Sequence, residues 1–189
     1  WKCAHFRISV NEIGQNEWRN HATQDSIAHP MQFGSCVGMI NAWDSTVSDV
    51  LLYAWEREGI TIDGNRLTSP RSGKCYNNTV TNCTCVGEDS AGFSGIQVGS
   101  LGAHHNTITN CRVSNTGASA IGLDSKYSIV SNCIVDGSIY FHGINVGHSG
   151  EPSDYSVISN CSIYNVGSGT HATSKSHGIT VANGTKNVV

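Results

Sequence analysis

The six residues Asn78-Thr79-Val80-Thr81-Asn82-Cys83 return almost unchanged as NTITNC at Asn106–Cys111, as SIVSNC at Ser128–Cys133 and as SVISNC at Ser156–Cys161. Degenerate copies stand at Ser45–Val50 (STVSDV) and Asn187–Val189 (NVV). Successive copies start 33, 28, 22, 28 and 31 residues apart, so the variation must fall in loops between conserved units. A repeat of this length restricts the chain to a stack of like units, each burying its apolar face on the next.

A second anchor accompanies each full copy: GITI at Gly59–Ile62, GIQV at Gly95–Val98, AIGL at Ala120–Leu123, GINV at Gly143–Val146 and GITV at Gly178–Val181. Apolar residues at alternate positions give the two-residue period of a strand with one buried face. The glycine before each isoleucine is read as relieving a bend. The six-residue unit alternates too, with Val80, Ile108, Val130 and Ile158 inward and Thr79, Thr107, Ile129 and Val157 outward. After the Asn-Cys break a third strand puts Cys85, Val113, Val135 and Ile163 inside. Each repeat is thus three short strands, and like strands of successive coils stack at about 4.8 Å. The Asn-Cys pairs are expected to line up at a bend, with side-chain amides bonding along the stack and the thiols free and buried.

Composition agrees with this all-β solenoid. Charged residues are 13% of the chain, about half the usual share, which suits strands and turns better than long helices. The net charge of −3 and the absence of a basic run argue against nucleic acid as a partner. No apolar run of about 18 residues predicts a membrane-spanning helix. The eight cysteines include no CxxC pair, and four share one repeat position, so a zinc site is not expected. The chain opens at Trp1 and stops within a repeat, and reads as an excerpt or mature fragment. Residues 1–41 are expected to be an irregular N-terminal segment or partial first coils, and residues 42–189 the β-helix repeats, truncated at the C-terminal end.

The combination of NTITNC with Gly-Ile-x-Val, over Ala42–Val189, resembles the right-handed parallel β-helix of the pectate-lyase-like superfamily. The resemblance implies a single-stranded right-handed β-helix with three short strands per coil. That superfamily includes polysaccharide lyases, glycoside hydrolases, uronan epimerases, phage tailspikes and adhesins. It therefore implies a carbohydrate-active protein that binds and cleaves a polysaccharide as a lyase or hydrolase. The alternative is a non-catalytic structural or glycan-binding solenoid such as a tailspike shaft or adhesin. Either implies an extracellular, cell-surface or virion-surface location, a polysaccharide partner and, for a tailspike-like chain, a homotrimer.

Chemistry on such a scaffold belongs to outward side chains and long loops. The residues before each Gly-Ile or Ala-Ile anchor form one column: Glu58, Ser94, Ser119, His142 and His177. Asp136, Tyr140, His171 and Lys175 lie near its two histidines in sequence and complete the densest titratable group. As a lyase, His142 or His177 would remove the proton beside a uronate carboxylate, and Tyr140 or Lys175 would protonate the leaving oxygen. FHGIN at Phe141–Asn145 and SHGIT at Ser176–Thr180 resemble the Gly-His-Gly element of polygalacturonases, but Ser94 and Ser119 occupy the column where that family carries aspartates. His171 is a candidate substrate contact, as are Trp55 and Glu58, where an aromatic platform with neighbouring carboxylates would hold sugar. Glu88 and Asp89 are the only calcium candidates, and His104-His105 lacks a third ligand at readable spacing, so no cofactor is expected beyond that calcium option.

Overall fold

The computed structural model describes residues 36–40, 42–53, 55, 58–63, 75–87, 94–138, 141–147, 152–167 and 176–189. These form a right-handed parallel β-helix of three sheets, with no helix among the described residues. Sheet A stacks β1 (Val37–Ile40), β4 (Ile60–Asp63), β7 (Ile96–His104), β10 (Ile121–Lys126), β13 (Ile144–Val146) and β16 (Ile179–Val181). Sheet B stacks β2 (Thr46–Ser48), β5 (Thr79–Thr81), β8 (Thr107–Thr109), β11 (Ile129–Ser131) and β14 (Val157–Ser159). Sheet C stacks β3 (Leu51–Tyr53), β6 (Thr84–Val86), β9 (Arg112–Thr116), β12 (Ile134–Ser138) and β15 (Ser162–Val166). Each coil runs A, B, C, and the register aligns the repeat: Ile60, Ile96, Ile121, Ile144 and Ile179 face one another, as do Val80, Ile108, Val130 and Ile158.

The inward columns are the core. Ile60, Ile96, Ile121, Ile144, Val80, Ile108, Val130, Cys85, Val113 and Val135 are fully buried, while Ile129 on the outward phase of sheet B is 42% exposed. Ile163 is only partly buried, being in the last described strand of its sheet. The cysteines Cys83, Cys111, Cys133 and Cys161 stack as free thiols. Each donates to the carbonyl two residues earlier, as from Cys83 to Thr81 at 3.2 Å and from Cys133 to Ser131 at 3.2 Å. Burial, and then the Asp63 carboxylate, push the Cys75 thiol up to about 12.

Two expectations about the bends change. The asparagines before the cysteines, Asn82, Asn110, Asn132 and Asn160, are exposed, and in place of a continuous buried ladder their column shows a long contact from Asn82 Nδ2 to Asp49 Oδ1 at 3.5 Å. They hold φ values of 55°, 53°, 53° and 52°, the left-handed region that Asn tolerates better than most residues. The amide ladder sits instead at the first position of each unit, in the corner between sheets A and B. There the Ser45 N–H donates to Asn78 Oδ1 (3.2 Å) and the Asn78 N–H to Asn106 Oδ1 (3.0 Å). The ladder continues from the Asn106 N–H to Ser128 Oγ (2.9 Å), the Ser128 N–H to Ser156 Oγ (3.4 Å) and the Ser156 N–H to Asn187 Oδ1 (2.7 Å). The glycines before the isoleucines also have another role, since neither Gly95 nor Gly143 has a positive φ. A Cβ on Gly95 would collide with Val113, and one on Gly143 would lie 2.6 Å from the Ile163 side chain. Glycine is required there by close packing of sheet C against the start of sheet A.

The two asparagine columns therefore predict opposite mutational behaviour. Asn106→Ala strands buried donors and acceptors on both neighbouring coils and loses at least the ~1–3 kcal/mol of one unpaired buried group. Asn110→Gly stays within ~0.5 kcal/mol of the parent, whereas Asn110→Val loses ~1–2 kcal/mol through its left-handed backbone. Chemical denaturation of the three variants checks this, and equal losses in Asn106→Ala and Asn110→Gly would contradict the division of roles.

Candidate functional site

Register places Glu58, Ser94, Ser119, His142 and His177 in one column at the entrance to sheet A, as expected from sequence. His142 and His177 stack face to face, ring centroids 5.5 Å apart and planes 9° from parallel. The His177 backbone N–H donates to His142 Nδ1 at 3.2 Å. This contact decides the tautomer: with Nδ1 accepting, neutral His142 carries its proton on Nε2. Its outer nitrogen is then a hydrogen-bond donor, not the free lone pair a general base needs. Partial burial, and then the neighbouring His177, hold His142 below the ordinary histidine range, which favours this neutral donor form.

Of the remaining candidates, the described ones, Asp136, Trp55 and Glu58, stand apart from this pair. Asp136 lies on sheet C, where it accepts from Asn165 Nδ2 at 2.8 Å and faces the Arg112 guanidinium at 3.9 Å. Trp55 is 3% exposed and packs in the core beside Gly59, so its ring is not a surface platform for sugar. Glu58 is 6% exposed and stands three coils from His142, about 14 Å along the stack. Tyr140, His171, Lys175, Glu88 and Asp89 lie outside the described residues.

A second surface feature emerges that the sequence reading missed. It lies at the corner between sheets A and B, in the two positions before each ladder residue. The first position carries Trp43, Tyr76, His104, Lys126, Asp154 and Thr185, and the second carries Asp44, Asn77, His105, Tyr127, Tyr155 and Lys186. Trp43 stacks on Tyr76 (6.3 Å), Tyr76 on His104 (5.2 Å), His105 on Tyr127 (5.4 Å) and Tyr127 on Tyr155 (5.0 Å). Lys186 closes the row with its ammonium 5.0 Å from the Tyr155 ring centroid. Between His104 and His105 the aromatic row crosses from the first position to the second. Where the first position is no longer aromatic it becomes ionic, with Lys126 and Asp154 paired at 3.1 Å.

The second position is left-handed in every coil, with φ of 51° at Tyr127, 56° at Tyr155 and 55° at His105. An aromatic residue there costs roughly 1–2 kcal/mol of backbone strain, and a ring stack returns ~0.5–1.5 kcal/mol. The row was readable in principle by aligning the two residues that precede each repeat. It escapes a motif search because its members differ in type and change column midway.

The fold and these two surfaces define a parallel β-helix with a histidine column and an aromatic row on its outer face. The chain belongs to the NosD family, whose model, described as that of a periplasmic copper-binding protein, matches residues 20–189. No curated protein and no solved structure matches the chain. The family's description departs from the expectation of no cofactor beyond an optional calcium. Among the described residues no group of three His, Cys, Asp or Glu side chains could hold a metal ion.

The His142 geometry makes a spectroscopic prediction. The ring titrates with a midpoint below the ~6.5 of an ordinary histidine, and His177→Ala moves it upward by removing the like charge. A folded-state midpoint below the unfolded one means that this contribution to stability is complete above the unfolded value. It is lost as pH falls through the folded one. NMR titration of the His142 ring checks both shifts, and an unshifted midpoint would mean that its ring is more solvated than described.

Proposed function

We propose that this chain is a non-catalytic binding β-helix whose ligand is an extended polysaccharide, held at the column that ends in His142 and His177. The observation that carries the reading is the His177 amide bonded to His142 Nδ1. It makes the exposed side of neutral His142 a donor of the kind that binds a sugar hydroxyl or carboxylate, and denies it the base role an elimination would require. The engagement of Asp136 by Asn165 and Arg112, and the burial of Trp55, also favour binding over cleavage. A linear solenoid with near-identical coils suits a polymer whose acceptors also recur along its length. The family's periplasmic description is compatible with a location outside the cytoplasm.

A panel of acidic and neutral polysaccharides tests this, with binding followed by calorimetry and cleavage by reducing ends and by the ultraviolet absorbance of unsaturated products. Expected is binding without product, weakened ~10-fold or more, about the loss of one good hydrogen bond, in His142→Ala. Product formation lost in that variant would restore the lyase reading, and no binding to any folded sample would remove the glycan reading.

A second reading is favoured by the family, which is described as copper-binding. The described residues fit copper only through pairs of imidazoles, a ligand type that suits copper well. In the His142–His177 pair one inner nitrogen already accepts an amide. In the His104–His105 pair the two Nδ1 atoms face each other. The stacked cysteines do not serve, because their thiols point into the core and donate to carbonyls.

A further inference from the structure

We propose that His104 and His105 form a two-nitrogen metal site on the aromatic ridge, and that its ion is copper. The choice of metal rests on the second reading above; the site itself rests on geometry. Adjacent residues of an extended strand point to opposite faces. Here the left-handed backbone at His105 turns the chain, and both imidazoles project from the same corner. Their rings stand at 89°, and their Nδ1 atoms are 2.8 Å apart. Two imidazole nitrogens each ~2.0–2.1 Å from one ion, at a right angle, are themselves ~2.8–3.0 Å apart. The pair is thus spaced as two neighbouring ligands of a single ion.

Both rings are held before any ion arrives. His104 stacks on Tyr76 at 10° from parallel, and His105 on Tyr127 at 16°. Pre-organisation of this kind lowers the ordering cost of binding. With no ion, one Nδ1 must carry the proton shared across the short N···N contact. When the ion binds, that proton moves to Nε2 of the same ring, so a neutral pair takes up the metal with no net proton change. Lys126, aligned with His104, is drawn to Asp154 at 3.1 Å, which offsets its repulsion of a metal ion. Two protein ligands leave the other coordination positions to water. Such a site loads and unloads readily, unlike a closed four-ligand cage.

The test is titration of the intact chain with copper(II), read by nitrogen hyperfine structure in electron paramagnetic resonance and by quenching of tyrosine fluorescence. His105→Asn keeps a residue that tolerates the left-handed backbone, and His104→Phe keeps the stack on Tyr76, so both variants preserve the fold while removing a nitrogen. Expected is one equivalent of copper with two-nitrogen hyperfine structure, weakened at least tenfold in each variant and unchanged in His142→Ala. Equal copper affinity in parent and variants would overturn the site and leave the copper reading standing. Loss of copper only in His142→Ala would move the site to the other histidine pair. No copper binding by the folded parent would overturn both the site and the copper reading.

Discussion

The structure depends on one backbone amide per coil. At the corner between sheets A and B the left-handed residue turns the next N–H into the stack, away from water and out of reach of a strand partner. A buried amide left so would cost more than a well-made hydrogen bond returns. Each coil solves this with a side-chain oxygen lent by the next, in the continuous series Ser45, Asn78, Asn106, Ser128, Ser156 and Asn187. Asn106 shows how completely the corner is used. Its oxygen accepts from the Asn78 N–H and amide, and its own amide donates to the Cys75 carbonyl and the Ser125 hydroxyl. The repeat in the sequence records this constraint: a coil whose first residue lacked the oxygen would strand the coil before it.

Fixing the corner from inside frees the two positions just outside it. They need only a left-handed conformation at the second, and the chain fills that position with Asp, Asn, His, Tyr, Tyr and Lys. Polar residues there bond to their counterparts, as Asn77 Nδ2 does to Asp44 Oδ1 at 3.0 Å. Aromatic residues there stack instead. The ridge is therefore a by-product of coil stacking with its own energetics, in which ring–ring contact offsets the strain of placing tyrosine at positive φ.

Much of this was legible before the structure. Three strands per coil, their inward residues and the His142–His177 column follow from two-residue alternation and from copies that can be aligned by eye. The roles of the two asparagine columns were not legible, because Asn serves both as a ladder amide and as a left-handed residue, and NTVTNC contains one of each. Trp55 was misread as a surface ring because the segment around it, rich in glutamate and arginine, has no strand alternation to give its phase. The tautomer of His142 depends on an amide 35 residues away in sequence, which no local pattern reports. The ridge was hidden because it belongs to the edge of the repeat, where residue type varies.

Stacking also constrains where chemistry can live. Ladder packing favours like beside like, and a column of identical groups can hold a polymer or stiffen a rod. A reactive or metal-binding site needs unlike groups, or like groups brought closer than the coil spacing, around one point. It must therefore stand where a column changes identity. Among the described residues, two such places on the outer surface carry histidine. The sheet A column passes from serine to histidine between Ser119 and His142, and the corner row crosses columns between His104 and His105. At the first, the histidines remain one coil apart and act in series. At the second, adjacency in sequence overrides the coil spacing and brings two nitrogens to 2.8 Å. A solenoid built by repetition thus gains a point-like site only by using neighbours along the chain instead of neighbours along the stack.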